Sequence, residues 1–199
     1  RELQTDYVDI WMIHNMDVEL LERLDLVAEV FAGARRAGKV RAVGGSTYGA
    51  ELPLAALQTG LFDMLQVTYS VLDQRLADQV LPAAAAHNVG IVVRSILLKG
   101  ALTARGDYLP DQLAELRARS RQFRGLVAGL ALSPVQVAIA FGLAHPHIHS
   151  VLVGVRTEWE LREALGATTA RLPGGLLLQL QALRLDDPNL LNPATWGIP

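Results

Sequence analysis

Thr5-Asp6-Tyr7-Val8-Asp9-Ile10-Trp11-Met12-Ile13-His14 is an apolar run that stops on a histidine. A buried strand that delivers one imidazole to its C-terminal tip has this form. Four further runs, at 40–46, 64–70, 90–95 and 150–154, end the same way on polar or glycine-rich tips. None alternates cleanly between apolar and polar residues. That is the pattern of parallel strands covered on both faces.

Helical patterns separate the runs. Leu20, Leu21, Leu24, Val27, Val30 and Phe31 recur at helical spacing over 18–36, and Gly38 follows as a C-cap signal. Residues 51–59 end at Gly60, and residues 75–87 end in Asn88-Val89-Gly90, with Gly90 a turn before the next strand. The long interval before the last strand predicts two helices. One spans 110–125; the other starts at Ser133-Pro134, an N-cap followed by proline in the first turn. Further helices are expected at 159–165 and 176–185.

Strand and helix alternating five times mean an α/β fold with a parallel sheet. The reading is a (β/α)8 TIM-barrel type, here an N-terminally truncated partial barrel with about five parallel strands. Residues 1–199 form one domain lacking the first strands, since only Arg1 to Gln4 precede the first run. A complete barrel typically takes about 250 residues. Five strands cannot close a ring that needs eight, so an open, curved sheet is expected. The 8–14 strand should lie at one edge and the 150–154 strand at the other.

Composition removes several function classes. A net charge of −2 offers no basic stripe for nucleic acid. The absence of cysteine excludes disulfides, thiolate nucleophiles and sulfur-ligated metals. No apolar stretch reaches the roughly 18 residues of a spanning helix, and no signal peptide is visible, so no membrane partner and a cytoplasmic location are expected.

In a parallel α/β barrel the chemistry sits at the C-terminal ends of the strands. That rule selects His14 and Asn15, the tip at 44–48, Gln66 with Tyr69 and Ser70, and the segments 94–99 and 154–157. The set holds one histidine, small polar residues and arginines. It contains no carboxylate pair for glycoside hydrolysis and no G-x-S-x-G elbow for a serine hydrolase. His145-Pro146-His147-Ile148-His149 has alternate histidines suited to a metal, but Pro146 and the lack of a nearby acidic ligand argue against one. Asp6 and Asp9 read as residues that cap and orient the entering strand. Trp196 reads as either a lid or packing.

Four segments, in this order and spacing, resemble the aldo-keto reductase superfamily over residues 5–196. They are Thr5-Asp6-Tyr7-Val8-Asp9 leading to Ile13-His14; Gly38-Lys39-Val40-Arg41-Ala42-Val43-Gly44-Gly45-Ser46; Phe62-Asp63 leading to Gln66-Val67; and Val151-Leu152-Val153-Gly154-Val155-Arg156 leading to Glu163. Arg94-Ser95-Ile96-Leu97-Leu98-Lys99-Gly100-Ala101-Leu102 is similar to the sugar-dehydrogenase-like branch.

The resemblance implies reduction of aldehydes and ketones by a nicotinamide cofactor with an Asp, Tyr, Lys and His tetrad. Only the histidine carries over, onto His14, which would hydrogen-bond the substrate carbonyl oxygen. The proton-donating tyrosine and its Lys and Asp would belong to earlier strands. Tyr48 and Lys99 follow strand ends, but tyrosine at such a loop is common without catalysis. The cofactor set carries over as Ser46 and Gln66 at the nicotinamide carboxamide, flanked by Thr47. Arg94 falls at the ring-stacking position, with Ser95 beside it. Gly154, Val155 and Arg156 match the phosphate loop, and Glu163 matches an adenine contact. Thr47 and Ala164 each replace a usual Asn. Glu160 stands where a 2′-phosphate contact is often Arg or Gln, so the cofactor is NADP or NAD with a lean to NAD.

The expected activity is hydride transfer between that cofactor and a small aldehyde, ketone or sugar, with this chain alone inactive. Two alternatives are a nicotinamide-binding module without turnover and a pseudo-enzyme that pairs through an exposed strand edge. The oligomeric state is left open.

Overall fold

The computed structural model describes residues 2–197. Five parallel strands, β1 (Val8–Ile13), β2 (Val40–Ser46), β3 (Met64–Thr68), β4 (Gly90–Arg94) and β5 (Ser150–Val151), neighbour one another in sequence order. β1 and β5 end that order, as the count of five runs requires. The chain divides into two compact units, one of Arg1–Val67 with Ala77–Val92 and the other of Thr68–Leu76 with Val93–Pro199.

The first unit holds α1 (Val18–Glu22), α2 (Leu24–Arg36), α3 (Glu51–Gln58) and α4 (Val80–Ala86). The single helix expected over 18–36 is broken at Arg23 (φ −119°), whose N–H bonds to the Leu20 carbonyl and closes the first turn early. α2 turns Phe31 inward, where its ring meets Trp11 at 5.4 Å and Phe62 at 6.5 Å in edge-on contacts. Gly38 (φ +67°) and Asn88 (φ +56°) take the left-handed conformation that ends a helix, and Gly90 is instead the first residue of β4. β1 exposes Ile10 and Trp11 despite its apolar sequence. The cause is its place at the end of the strand order, with β2 on one side only.

Two glycines let β2 pass between bulky neighbours. Gly44 is the register partner of Met64, and a Cβ there would lie 2.5 Å from Met64 Sδ and 2.7 Å from the Met64 carbonyl oxygen. A Cβ on Gly45 would run into the Met16 thioether. Asp63, just before β3, accepts from the Val43 N–H at 2.6 Å and pairs with Arg35, so one carboxylate ties α2 to both strands. Asp9 pairs at 2.8 Å with Arg41 across β1 and β2, an exposed contact of little energetic weight.

The second unit holds α5 (Ala114–Val127), α6 (Pro134–Leu143), α7 (Glu158–Gly166), α8 (Leu176–Gln181) and α9 (Pro188–Leu191). The start expected at residue 110 shifts to Ala114, because Pro110 is extended (ψ 162°) and a 3-10 turn fills Asp111–Leu113. α6 begins as expected at Ser133-Pro134, where Ser133 and Gln136 form a reciprocal capping box. It buries Val137, Ile139 and Phe141, each contributing about 1.5–3 kcal/mol.

Residues 68–76 fasten the C-terminal segment. Gln74 Nε2 donates to the carbonyls of Val71, Leu180 and Gln181, and the Leu185 N–H donates to the Leu72 carbonyl. Asp73 is buried and accepts from Arg75 Nε at 2.8 Å and Nη2 at 3.0 Å. Trp196 is buried too, and its carbonyl accepts from Gln112. That makes it packing and not a lid.

Candidate active site

The first unit sets His14 and Ser46 at neighbouring strand tips, with Gln66 mid-strand in β3 beside Ser46. His14 follows the last residue of β1 and is exposed. Asn15 behind it turns left-handed (φ +50°), a conformation that asparagine tolerates better than most side chains. Its N–H donates to Ser46 Oγ at 2.8 Å, and the Met16 N–H donates to the Ser46 carbonyl at 2.8 Å. With Met16 buried against Gly45, the tip that carries His14 is pinned to the end of β2 at three points.

Ser46 is the register partner of Gln66, and the Thr47 N–H continues the ladder to the Gln66 carbonyl at 3.1 Å. Ser46 and Thr47 are buried, whereas Gln66 is half-buried. The Gln66 side-chain amide makes no hydrogen bond among the described residues. It therefore offers a donor and an acceptor side by side.

The second unit carries the other expected residues. Arg94 ends β4 half-buried, and its carbonyl accepts from the Tyr69 N–H. The next segment is conformationally strained. Ser95 (φ +60°), Leu98 (φ +46°) and Lys99 (φ +51°) are all left-handed before Gly100 (φ +85°). Non-glycine residues in that region cost about 1–3 kcal/mol each and cluster at ligand clamps. A 2.7 Å bond from the Leu98 N–H to the Ser95 carbonyl closes the first of these turns.

β5 is shorter than the expected 150–154, although the Leu152 N–H still reaches the Val93 carbonyl at 2.7 Å. Gly154, Val155 and Arg156 form an exposed loop into α7. There Thr157 and Glu160 make a second reciprocal capping box. Glu160 Oε2 accepts from the N–H groups of Arg156 at 2.6 Å and Thr157 at 3.3 Å. Those backbone bonds, Arg156 foremost, hold the Glu160 carboxyl below the usual carboxylate range, and the Arg156 and Arg105 guanidiniums add to the effect. Glu163 lies half-buried one turn further on.

Sequence reasoning passed over Arg105, whose stem rests on Gly100 and whose charge reaches Glu160. It also passed over the capture of Ser46 by the Asn15 amide. The asparagine beside a strand-end histidine was the only signal for the latter, and nothing in the sequence marks the former.

A profile of the "Aldo/keto reductase family" matches residues 1–180. The chain belongs to the aldo/keto reductase family. The NADH-specific methylglyoxal reductase of Escherichia coli (strain K12) is 26% identical over 187 residues, covering 86% of this chain and 57% of that protein. A D-threo-aldose 1-dehydrogenase from a Pseudomonas species is 27% identical over 183 residues, covering 86% and 54%. This aldo/keto reductase chain thus spans a little over half the length of those relatives. Its fold is shared with the holo form of aldo-keto reductase AKR11C1 from Bacillus halodurans, at a TM-score of 0.77 and 23% identity, covering 91% of this chain and 60% of that one. Among the described residues no helix is long and apolar enough to cross a membrane.

Proposed function

We propose that the protein is an oxidoreductase that moves a hydride between a nicotinamide cofactor, NAD or NADP, and a small aldehyde, ketone or sugar. The observation that carries this reading is the strand-end arrangement of the first unit. Ser46 and Gln66 are register partners, beside a tip held rigid to present His14. The donor set fits the cofactor's carboxamide: Gln66 offers a half-buried amide, and Ser46 Oγ already accepts from Asn15 and keeps its own proton to donate.

When bound, the nicotinamide supplies or accepts the hydride. His14 donates an imidazole N–H to the substrate carbonyl oxygen, orienting it and stabilising the charge that grows there. By the family resemblance, Thr47, Arg94 and Ser95 would hold the ring end, the loop of Gly154, Val155 and Arg156 the phosphates, and Glu163 the adenine. The names of the E. coli and Pseudomonas relatives, a methylglyoxal reductase and an aldose dehydrogenase, support a small carbonyl or sugar as substrate. The protein works in the cytoplasm.

The test is fluorescence titration of the full-length gene product with NADH and NADPH, paired with steady-state rates on an aldehyde and aldose panel. Gln66→Ala should weaken cofactor binding by about 1–2 kcal/mol, the cost of one lost hydrogen bond in a partly buried site. His14→Ala should leave cofactor affinity unchanged and slow carbonyl reduction. Loss of cofactor binding in His14→Ala with an intact rate constant would remove His14 from the carbonyl. The second reading is a nicotinamide-binding module without turnover, favoured because every matched residue except His14 is a binding group. Tight NADH binding with no turnover on the whole panel would select it.

A further inference from the structure

His14 stands exposed at the end of β1, and its imidazole makes no hydrogen bond among the described residues. Where the ring stands is therefore set by the backbone that carries it. That backbone turns at once. Ile13 is still paired with Gly45 across the ladder, Asn15 is left-handed (φ +50°), and Asp17 already caps α1 by accepting from the Leu20 N–H at 2.9 Å. Residues 14–16 are the whole connection between strand and cap.

Of residues 14–18 only Met16 is buried, at 3% exposure. Its thioether fills the space that a Cβ on Gly45 would take, a slot that suits an unbranched, adaptable side chain. Its N–H donates to the Ser46 carbonyl at 2.8 Å, and the Asn15 N–H donates to Ser46 Oγ at 2.8 Å. A left-handed residue other than glycine persists only where its surroundings impose it. Here two hydrogen bonds and one seated side chain impose it. Met16 is the only side chain of the connection that packs, since His14, Asn15, Asp17 and Val18 are all exposed.

Resting on the assignment of His14 to the substrate carbonyl, we propose that Met16 is a positioning residue for the reaction. Seated on Gly45, it holds the left-handed turn at Asn15 and thereby the place of the His14 imidazole beside Ser46. Being buried, it has no surface to offer substrate or cofactor and acts only through the turn. A displacement of about 1 Å at a catalytic group can cost about 10²-fold in rate. Emptying the seat should therefore slow hydride transfer, while Ser46 and Gln66 stay in register on β2 and β3.

The experiment uses the full-length gene product and the best substrate of a panel of methylglyoxal, glyceraldehyde and aldoses. Single-turnover hydride transfer at saturating cofactor isolates the chemical step from product release, and fluorescence titration gives NADH and NADPH affinity. Met16→Ala should slow hydride transfer at least tenfold and change cofactor affinity less than threefold. Met16→Leu, of similar volume, should stay within threefold of wild type. A residue that only stabilises the fold would lower the fraction of sites that bind cofactor and not the rate per bound site. The double-mutant cycle with His14→Ala separates the roles: in that background Met16→Ala should change the residual rate less than twofold. Where Met16→Ala does not fold, Gly45→Ala displaces the same thioether from the other side and enters the cycle instead, with at least a threefold slowing that also vanishes without His14. A wild-type rate in the folded variant, or an equal slowing with and without His14, overturns the inference and leaves His14 at the carbonyl. A wild-type rate in His14→Ala overturns the assignment of His14 and this inference together.

Discussion

Replacing Gly44 by alanine tests whether the close passage of β2 past its neighbour sets the strand ends. The new Cβ would sit 2.5 Å from Met64 Sδ, 2.9 Å from Met64 Cγ and 2.7 Å from the Met64 carbonyl oxygen. The side chain of Met64 can bend away. Its carbonyl cannot, because it belongs to the register partner. Overpacking of this kind costs about 1–3 kcal/mol, and the stiffer unfolded chain of an alanine returns about 0.4–1 kcal/mol. The net loss should be about 1–2 kcal/mol, or a drop of about 0.5–1 M in the urea midpoint for a slope near 2 kcal/mol/M. Gly45→Ala meets only the Met16 side chain, so its loss should be less than half as large and should vanish in a Met16→Ala background. The Gly44→Ala loss should persist in a Met64→Ala background, since the carbonyl remains. A wild-type midpoint for Gly44→Ala, or rescue by Met64→Ala, would refute the backbone argument.

Two further predictions concern the second unit. His145 is held below the ordinary histidine value, first by burial and second by the neighbouring His147. The folded form then binds fewer protons than the unfolded one, so stability should be full above about pH 6.5 and fall as pH drops below it; chemical denaturation at pH 7.5 and 5.5 should show the difference, and His145→Phe should shrink it. Lys99 is left-handed without being glycine, so Lys99→Gly should raise stability by about 1 kcal/mol in a thermal melt, and an unchanged or lower melting temperature would show that the turn is unstrained.

The strand ends were legible because burial leaves a plain trace: an apolar run that stops at a polar or glycine-rich tip. His14, Ser46 and Arg94 end or closely follow such runs, whereas Gln66 lies in the middle of β3 as the register partner of Ser46. Helix ends were legible where one residue type is demanded, as at Gly38 and at Ser133 with Pro134. Errors arose where backbone bonding overrode pattern. Arg23 interrupts a continuous helical stripe by an early turn, and the Val151-Leu152-Val153 run pairs as a strand over only two residues. The left-handed Leu98 and Lys99 carry no compositional mark at all, since strain at a non-glycine residue is imposed by its surroundings. Glu160 shows the same division. Its place in the family pattern reads as a cofactor contact, whereas its capping box with Thr157 emerges only in the structure. The geometry shows the cap: the carboxylate accepts from the Arg156 and Thr157 amides, and that bonding starts α7.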